Sequence, residues 1–352
     1  MDSSNGAGRA FIGSFTSAGG RGITVAAVDE ETGALTVLGA TDVVPDPSYL
    51  ALGRGGGPGG TVLYTVSETE PGAAAALDIT GDVPRPLGAT RPVDGDGPTH
   101  LALAAGRLIT ANYGSGSVSV LPVTDDGALG PVAAVLAHEG SGPVADRQQG
   151  PHAHQVLPDP SGNWVLGVDL GTDSVRIYAL DPATGELRPH GETALRPGTG
   201  PRHLAFHPSG RHAYVLNELE PTLTVCRWDA ATGVLEPVGE TPVLPDGVTG
   251  ASYASEVVVA RDGRFLWAAN RGHDSISVLA LDASGEQVSL VTTVSCGGHW
   301  PRDLALDPTG RRLYAANERS GNIAWFTVDP ETGTPVHGGS LDAPAASCVV
   351  FA

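Results

Sequence analysis

One segment of this chain returns again and again, and that recurrence limits the fold more than any other feature. Residues 202–217 (RHLAFHPSGRHAYVLN) and 302–317 (RDLALDPTGRRLYAAN) match in spacing throughout. Ser255 to Asn270 repeats the pattern with an Arg-Asp-Gly turn, and Ala153 to Asp169 repeats it with Pro-Ser-Gly. Worn copies run from His100 to Asn112 and from Tyr49 to Val66. Each copy reads as a strand, a tight turn, and a second strand that mostly ends in a polar residue. A third strand, an Asp-x-x-Thr-Gly turn and a fourth strand follow. The last kind of turn recurs at Asp29 to Gly33, Asp181 to Gly185, Asp229 to Gly233 and Asp329 to Gly333. Gly supplies the positive φ that such a turn needs, and Asp bonds the backbone just downstream. Four strands per unit of about 40 to 50 residues is the pattern of a propeller blade.

First strands begin near residues 49, 100, 153, 202, 255, 302 and 347, which predicts an all-β, seven-bladed β-propeller with four antiparallel strands per blade. The last residues, Ser347 to Phe351, read as a first strand with no second strand after it. Ala10 to Phe15 reads as a second strand with no first one before it. Joined, they share one blade and close the ring, leaving no open seam. One domain over residues 1–352 is the expectation.

Composition narrows the function. The 49 Gly and 28 Pro suit many short strands and turns. All 20 basic residues are Arg, so a lysine nucleophile, a Schiff base and a phosphate-loop lysine are excluded. A net charge of −19 argues against nucleic acid and anionic membrane as partners. It leaves room for a small anionic substrate held by a few arginines. Cys226, Cys296 and Cys348 are isolated, and no apolar leader opens the sequence, so a cytoplasmic protein without disulfides is expected.

The first and second strands of a blade form an antiparallel hairpin, so the start of one lies beside the end of the other. Reflection about each turn pairs His154 with about Asp169, Arg202 with about Asn217 and Glu218, and Glu256 with about Asn270 and Arg271. It also pairs Arg302 with about Asn317 and Glu318, and His100 with about Asn112. The first strand of a propeller blade is innermost, so these pairs converge on one mouth of the central channel. Such a concave site with titratable groups is the default place for binding and catalysis. Arginine there suits a carboxylate or phosphate, and His and Glu suit proton transfer.

Plainer roles stand beside these. The strand-end Asn112, Asn217, Asn270 and Asn317 can cap turns. Glu318 with Arg319 reads as a rim ion pair, and His203, His207 and His212 read as structural or exposed. His152 and His154 are two apart and would share a strand face, but no partner at metal-ligand spacing accompanies them, so no metal or other cofactor is expected. The glycine-rich run Gly53 to Gly60 reads as a loop tip. No Gly-x-Ser-x-Gly elbow is present.

With Gly150-Pro-His-Ala-His-Gln155, Gly200 to Pro208, Val215 to Glu218 and Ala269 to Ile276, the chain resembles the propeller lactonase family. That family comprises seven-bladed bacterial 6-phosphogluconolactonases and fungal 3-carboxy-cis,cis-muconate lactonizing enzymes. The resemblance implies a His, two Arg and a Glu in the site, which fall here on His154, Arg202, Arg271 and Glu218. His152, Asp169, Asn217, Glu256, Asn270, Arg302 and Asn317 are expected around the substrate. The blades that begin near residues 49 and 100 match the family less well, with Ala73 to Ala76 in place of the usual third strand, which puts contacts around Glu68 and Asn112 in question. The leading expectation is hydrolysis of a sugar-acid lactone such as 6-phosphogluconolactone. The alternatives are lactonization of a carboxy-muconate, or a non-enzymatic propeller that binds a ligand or protein.

Overall fold

The computed structural model describes residues 8–55 and 60–352. Seven antiparallel sheets follow one another along the chain. Their innermost strands are Leu50–Arg54 (blade 1), Pro98–Ala104 (blade 2), Ala153–Pro158 (blade 3), Pro201–Phe206 (blade 4), Tyr253–Val259 (blade 5), Pro301–Leu306 (blade 6) and Ala346–Phe351 (blade 7). The expected starting points hold to within two residues. Six sheets have four strands, and in blade 1 the outer strand is split into Arg85–Pro86 and Arg91–Pro92. Ala73–Asp78 forms the third strand of blade 1 despite its run of alanines, and four of its six residues are buried. The glycine run from Gly53 is only partly described: Leu50–Arg54 is strand, and residues 56–59 lie outside the described residues, as do residues 1–7 at the start of the chain.

The Asp-x-x-Thr-Gly turns form as read. Gly33 has φ 77° and its N–H donates to the Asp29 carbonyl at 2.8 Å, while Asp29 Oδ1 accepts the Thr32 amide at 2.7 Å. The seven buried apolar clusters each lie between two adjacent blades. One example joins Tyr214, Leu216 and Leu223 of blade 4 to Val257, Leu266 and Leu279 of blade 5. Stability therefore comes from blade-on-blade packing around the whole circle.

Blade 7 is built from both ends of the chain. Arg9–Ser14 pairs antiparallel with Ala346–Phe351, with Ala10 opposite Phe351 and Ile12 opposite Val349. Deleting residues 346–352 would bare the edge of Arg9–Ser14 and open the cluster of Ile12, Ala346 and Val349 against blade 6. An unpaired edge next to exposed apolar surface recruits other chains. The truncated protein is expected to aggregate or melt far below the parent, read by size-exclusion chromatography and a thermal melt. A monomer with the parent's melting temperature would show that the ring does not need this closure.

Candidate functional site

The innermost strands share a local irregularity that places the site. In blade 4, Pro201 pairs with Asn217 and His203 with Leu216, so Arg202 is an extra residue without a ladder partner. The same β-bulge leaves His154 unpaired in blade 3, Arg302 in blade 6, Thr99 in blade 2 and Ser347 in blade 7. In blade 5 both Ser255 and Glu256 fall in the gap. A bulge re-aims the side chain it carries and ends regular pairing. Reflection about each turn is therefore off by one residue: Asp169 faces Ala153, and Asn217 faces Pro201.

Three tiers of side chains result. The outermost holds the residues at the ends of the second strands: Glu68, Tyr113, Glu218 and Glu318 just past them, and Arg271 as the last residue of its strand. Below it lie the bulge residues, including His154, Arg202 and Arg302. Below those lie the residues that follow, Tyr49, His100, Gln155, His203, Glu256, Asp303 and Cys348.

Glu218 is the hub of the upper two tiers. Its Oε2 is 2.8 Å from Arg271 Nη2 and 3.4 Å from Arg202 Nε, and its Oε1 is 2.6 Å from Arg147 Nη2. The three guanidiniums outweigh burial and hold its carboxyl down at about 2. Arg202 is 2 % exposed and donates to the Ser255 carbonyl. Burial, and then the like charges of Arg271 and Arg302, push Arg202 down to about 9, so it is still cationic at neutral pH. Arg271 is fixed by the carbonyls of Tyr253 at 3.3 Å and Ala254 at 3.2 Å. Arg302 lies against Phe15 and reaches Glu68 at 3.4 Å and Glu318 at 3.5 Å. Four arginines against three glutamates leave this mouth with a net positive charge, inside a chain of net charge −19.

Several buried polar atoms around the channel have no partner: His154 Nδ1, His100 Nδ1, His203 Nε2, and the hydroxyls of Ser48 and Ser347. Unpaired buried polar groups are costly, and they mark surfaces built to meet a polar ligand. His154 is neutral, driven well below the usual histidine value by burial and then by Arg202.

The structure brings His154, Arg202, Glu218, Glu256, Arg271 and Arg302 together, with His152 at the edge, where it stacks on Tyr113 at 4.3 Å. The strand-end residues are a correction. Asn217, Asn270 and Asn317 are fully buried; the first two amides donate within their own blades, to Thr222 and Thr224 and to Ser275 and Ser277, and that of Asn317 donates to the Cys296 carbonyl in the link from blade 5, while each Oδ1 has no partner. Asp169 is spent on the His138 ring at 2.5 Å and the amides of His152, Gly171 and Thr172. All four side chains turn into the sheet, because a bulge sits between them and the channel. Glu318 pairs with Arg302, while Arg319 stacks on Trp300 with its guanidinium 3.3 Å from the ring centre. Glu68 does reach the mouth through Arg302, whereas Asn112 bonds Ser117 and Ser119 in its own blade.

Sequence reasoning missed Arg147, His203 and Asp303. Arg147 lies in the link from Ala137 to Ala153, the longest between blades and outside every repeat copy. His203 belongs to the third tier; its signal was its position beside Arg202, matched by Asp303 beside Arg302. No group of three or more His, Cys, Asp or Glu able to hold a metal occurs among the described residues.

The family model described as "Lactonase, 7-bladed beta-propeller" matches residues 9–351. The chain is 35 % identical to the 6-phosphogluconolactonase of Bacillus subtilis over 346 residues, covering 97 % of each. Among solved structures, it superposes on a Lactobacillus plantarum protein with a TM-score of 0.91 at 29 % identity, covering 98 % of this chain and 99 % of that one. The periplasmic gluconolactonase of Pseudomonas aeruginosa gives 0.89 at 30 %, covering 98 % of each. With the repeat, the ring and these full-length matches in agreement, the chain belongs to the seven-bladed β-propeller lactonase family.

Proposed function

We propose that this protein hydrolyses a sugar-acid lactone carrying an anionic group, with 6-phosphogluconolactone as the substrate, at the arginine-lined mouth of the channel. The observation that carries the reading is the pair Arg202 and Arg271 on Glu218, with Arg302 close by and all three beside neutral His154. Guanidiniums suit the phosphate by their paired donors. A guanidinium aimed at the lactone carbonyl stabilises the oxyanion formed when water adds, a contribution of about 3–4 kcal/mol per donor in such sites. Glu218 has its carboxylate engaged by three arginines and is too weakly basic to take a proton from water; it sets the spacing of the arginines instead. His154 is the hydrogen-bonding side chain that orients the lactone, with Asp169, Asn217, Asn270 and Asn317 bracing the blades behind it. The relatives named for 6-phosphogluconolactone and gluconolactone support the substrate class.

Three unpaired, buried cysteines fit a reducing, cytoplasmic setting. No helix among the described residues is long and apolar enough to cross a membrane.

Initial rates on the phosphorylated lactone, on unphosphorylated gluconolactone and on 3-carboxymuconate test the reading. We expect kcat/KM for the phosphorylated lactone to exceed that for gluconolactone by about tenfold or more, the worth of one good charge-assisted contact. Equal values would remove the phosphate from the proposal. Turnover of the muconate alone would replace hydrolysis with lactonization.

A further inference from the structure

His203 occupies the third tier of the channel, directly below Arg202, and is 2 % exposed. Its Nδ1 lies 2.7 Å from Glu256 Oε2 on the neighbouring blade. Its Nε2 has no partner, and the rings of His154, His100 and Tyr49 surround it at centroid distances of 5.1, 5.4 and 6.4 Å. Glu256 Oε1 accepts the Val257 amide at 3.0 Å, and the Glu256 carboxyl lies beside that of Asp303 on blade 6. Asp303 Oδ2 accepts the Val349 amide at 2.9 Å.

Protonation orders this chain. Burial, and then the charge of Glu256, push Asp303 well above the usual carboxylate range, so this close pair of carboxyls shares a proton. Burial raises Glu256 to about 7 against the opposing pull of Arg202. His203 faces Arg202 on its own strand, Arg271 and Arg302 from blades 5 and 6, Glu218 from the mouth, and Tyr49 from blade 1. Burial and the three arginines keep it neutral. With a proton shared between Asp303 and Glu256, and Glu256 Oε2 accepting from His203 Nδ1–H, the imidazole is left with a bare Nε2. This is the tautomer a base requires.

Resting on the lactonase reading above, we propose that His203 is the general base of the hydrolytic step and that Glu256 and Asp303 are its positioning residues. Nε2 takes a proton from water as the water oxygen bonds to the lactone carbonyl carbon. When the tetrahedral adduct collapses, the bond from that carbon to the ring oxygen breaks, and Nε2 returns the proton to the ring oxygen. The product is the open hydroxy acid, which then releases its acidic proton. Glu256 supports the imidazolium formed in between. His154 has no carboxylate to fix its tautomer, and three guanidiniums hold Glu218 at about 2, too weak a base for water. Glu256 and Asp303 also line a cavity of about 500 Å³ on the opposite side of the channel, bordered by Leu157, Leu204 and Phe206.

Two variants test the proposal on 6-phosphogluconolactone. H203N places an amide N–H where Nδ1 sits and nothing where Nε2 sits. Its kcat is expected to fall about 10²–10⁴-fold, the range for losing a positioned base, with KM within threefold of the parent. In the parent, kcat/KM is expected to rise with pH through about 7 as Glu256 loses its proton and becomes an acceptor for Nδ1–H. E256Q is expected to lose that limb, a change that a merely structural role would not produce, and it carries the test if H203N does not fold. An active parent whose H203N form stays within threefold in kcat, or whose E256Q form keeps the limb, overturns the proposal and leaves the lactonase reading standing. A parent inert towards every lactone overturns both.

Discussion

Arg271→Ala is expected to lower kcat/KM on the preferred lactone by about 10²–10³-fold while leaving the ring folded. The size follows from losing one preorganised donor to a developing oxyanion, about 3–4 kcal/mol. The fold is spared for a local reason. Arg271 ends the strand Phe265–Arg271, and its nitrogens bond only the carbonyls of Tyr253 and Ala254 and the carboxylate of Glu218. Glu218 keeps Arg147 and Arg202 when Arg271 is gone. Arg271→Lys retains the charge but not the fork and is expected to recover only part of the loss. Steady-state kinetics with a thermal melt on each variant decide the matter. Near-parent turnover in Arg271→Ala would take this arginine out of the chemistry.

Glu218→Gln is expected to be the most destabilising single change at the mouth. It leaves three guanidiniums without their common anion, and removing one partner from a buried charge cluster commonly costs about 3–5 kcal/mol. The protonation behaviour of Glu218 agrees. Its carboxyl is lowered from 4.5 to about 2 on folding, a preference of about 3 kcal/mol for the ionised form. Because the folded value is the lower one, that stability is present above about pH 4.5 and is lost as pH falls towards 2. Calorimetry at neutral pH should show a melting temperature roughly 4–7 °C below the parent's, taking about 1.4 °C per kcal/mol for a chain of 352 residues. The gap should narrow on acidification. Coincident melts at pH 7 would mean that the cluster contributes specificity without stability.

The ring was legible because turn chemistry and strand alternation are local, and seven approximate copies register them repeatedly. Even the alanine-rich third strand of blade 1 pairs, since Ala73–Asp78 needs only to be apolar and extended between two partners. Membership of the mouth was legible to within one residue. Reflection about a turn counts paired residues, and a bulge adds one that pairs with nothing. For that reason Arg202 and Arg302 enter the channel while Asn217 and Asn317, one step away in the ladder, turn back into their blades. His203 was hidden by the same shift, which makes a residue that looked like ordinary alternation part of the channel wall. Arg147 carried no signal, because it comes from a link that no other copy contains.

The bulges also bear on how such a chain changes over time. A residue outside the ladder answers to the channel and hardly at all to its sheet, so its replacement leaves strand pairing untouched. The bulge positions of this one chain already hold Thr99, His154, Arg202, Arg302 and Ser347, with hydroxyl, imidazole and guanidinium at the same one-residue shift in the ladder. Each behaves as an interchangeable socket. New substrate preferences can therefore arise one socket at a time, without the scaffold having to be re-evolved around them.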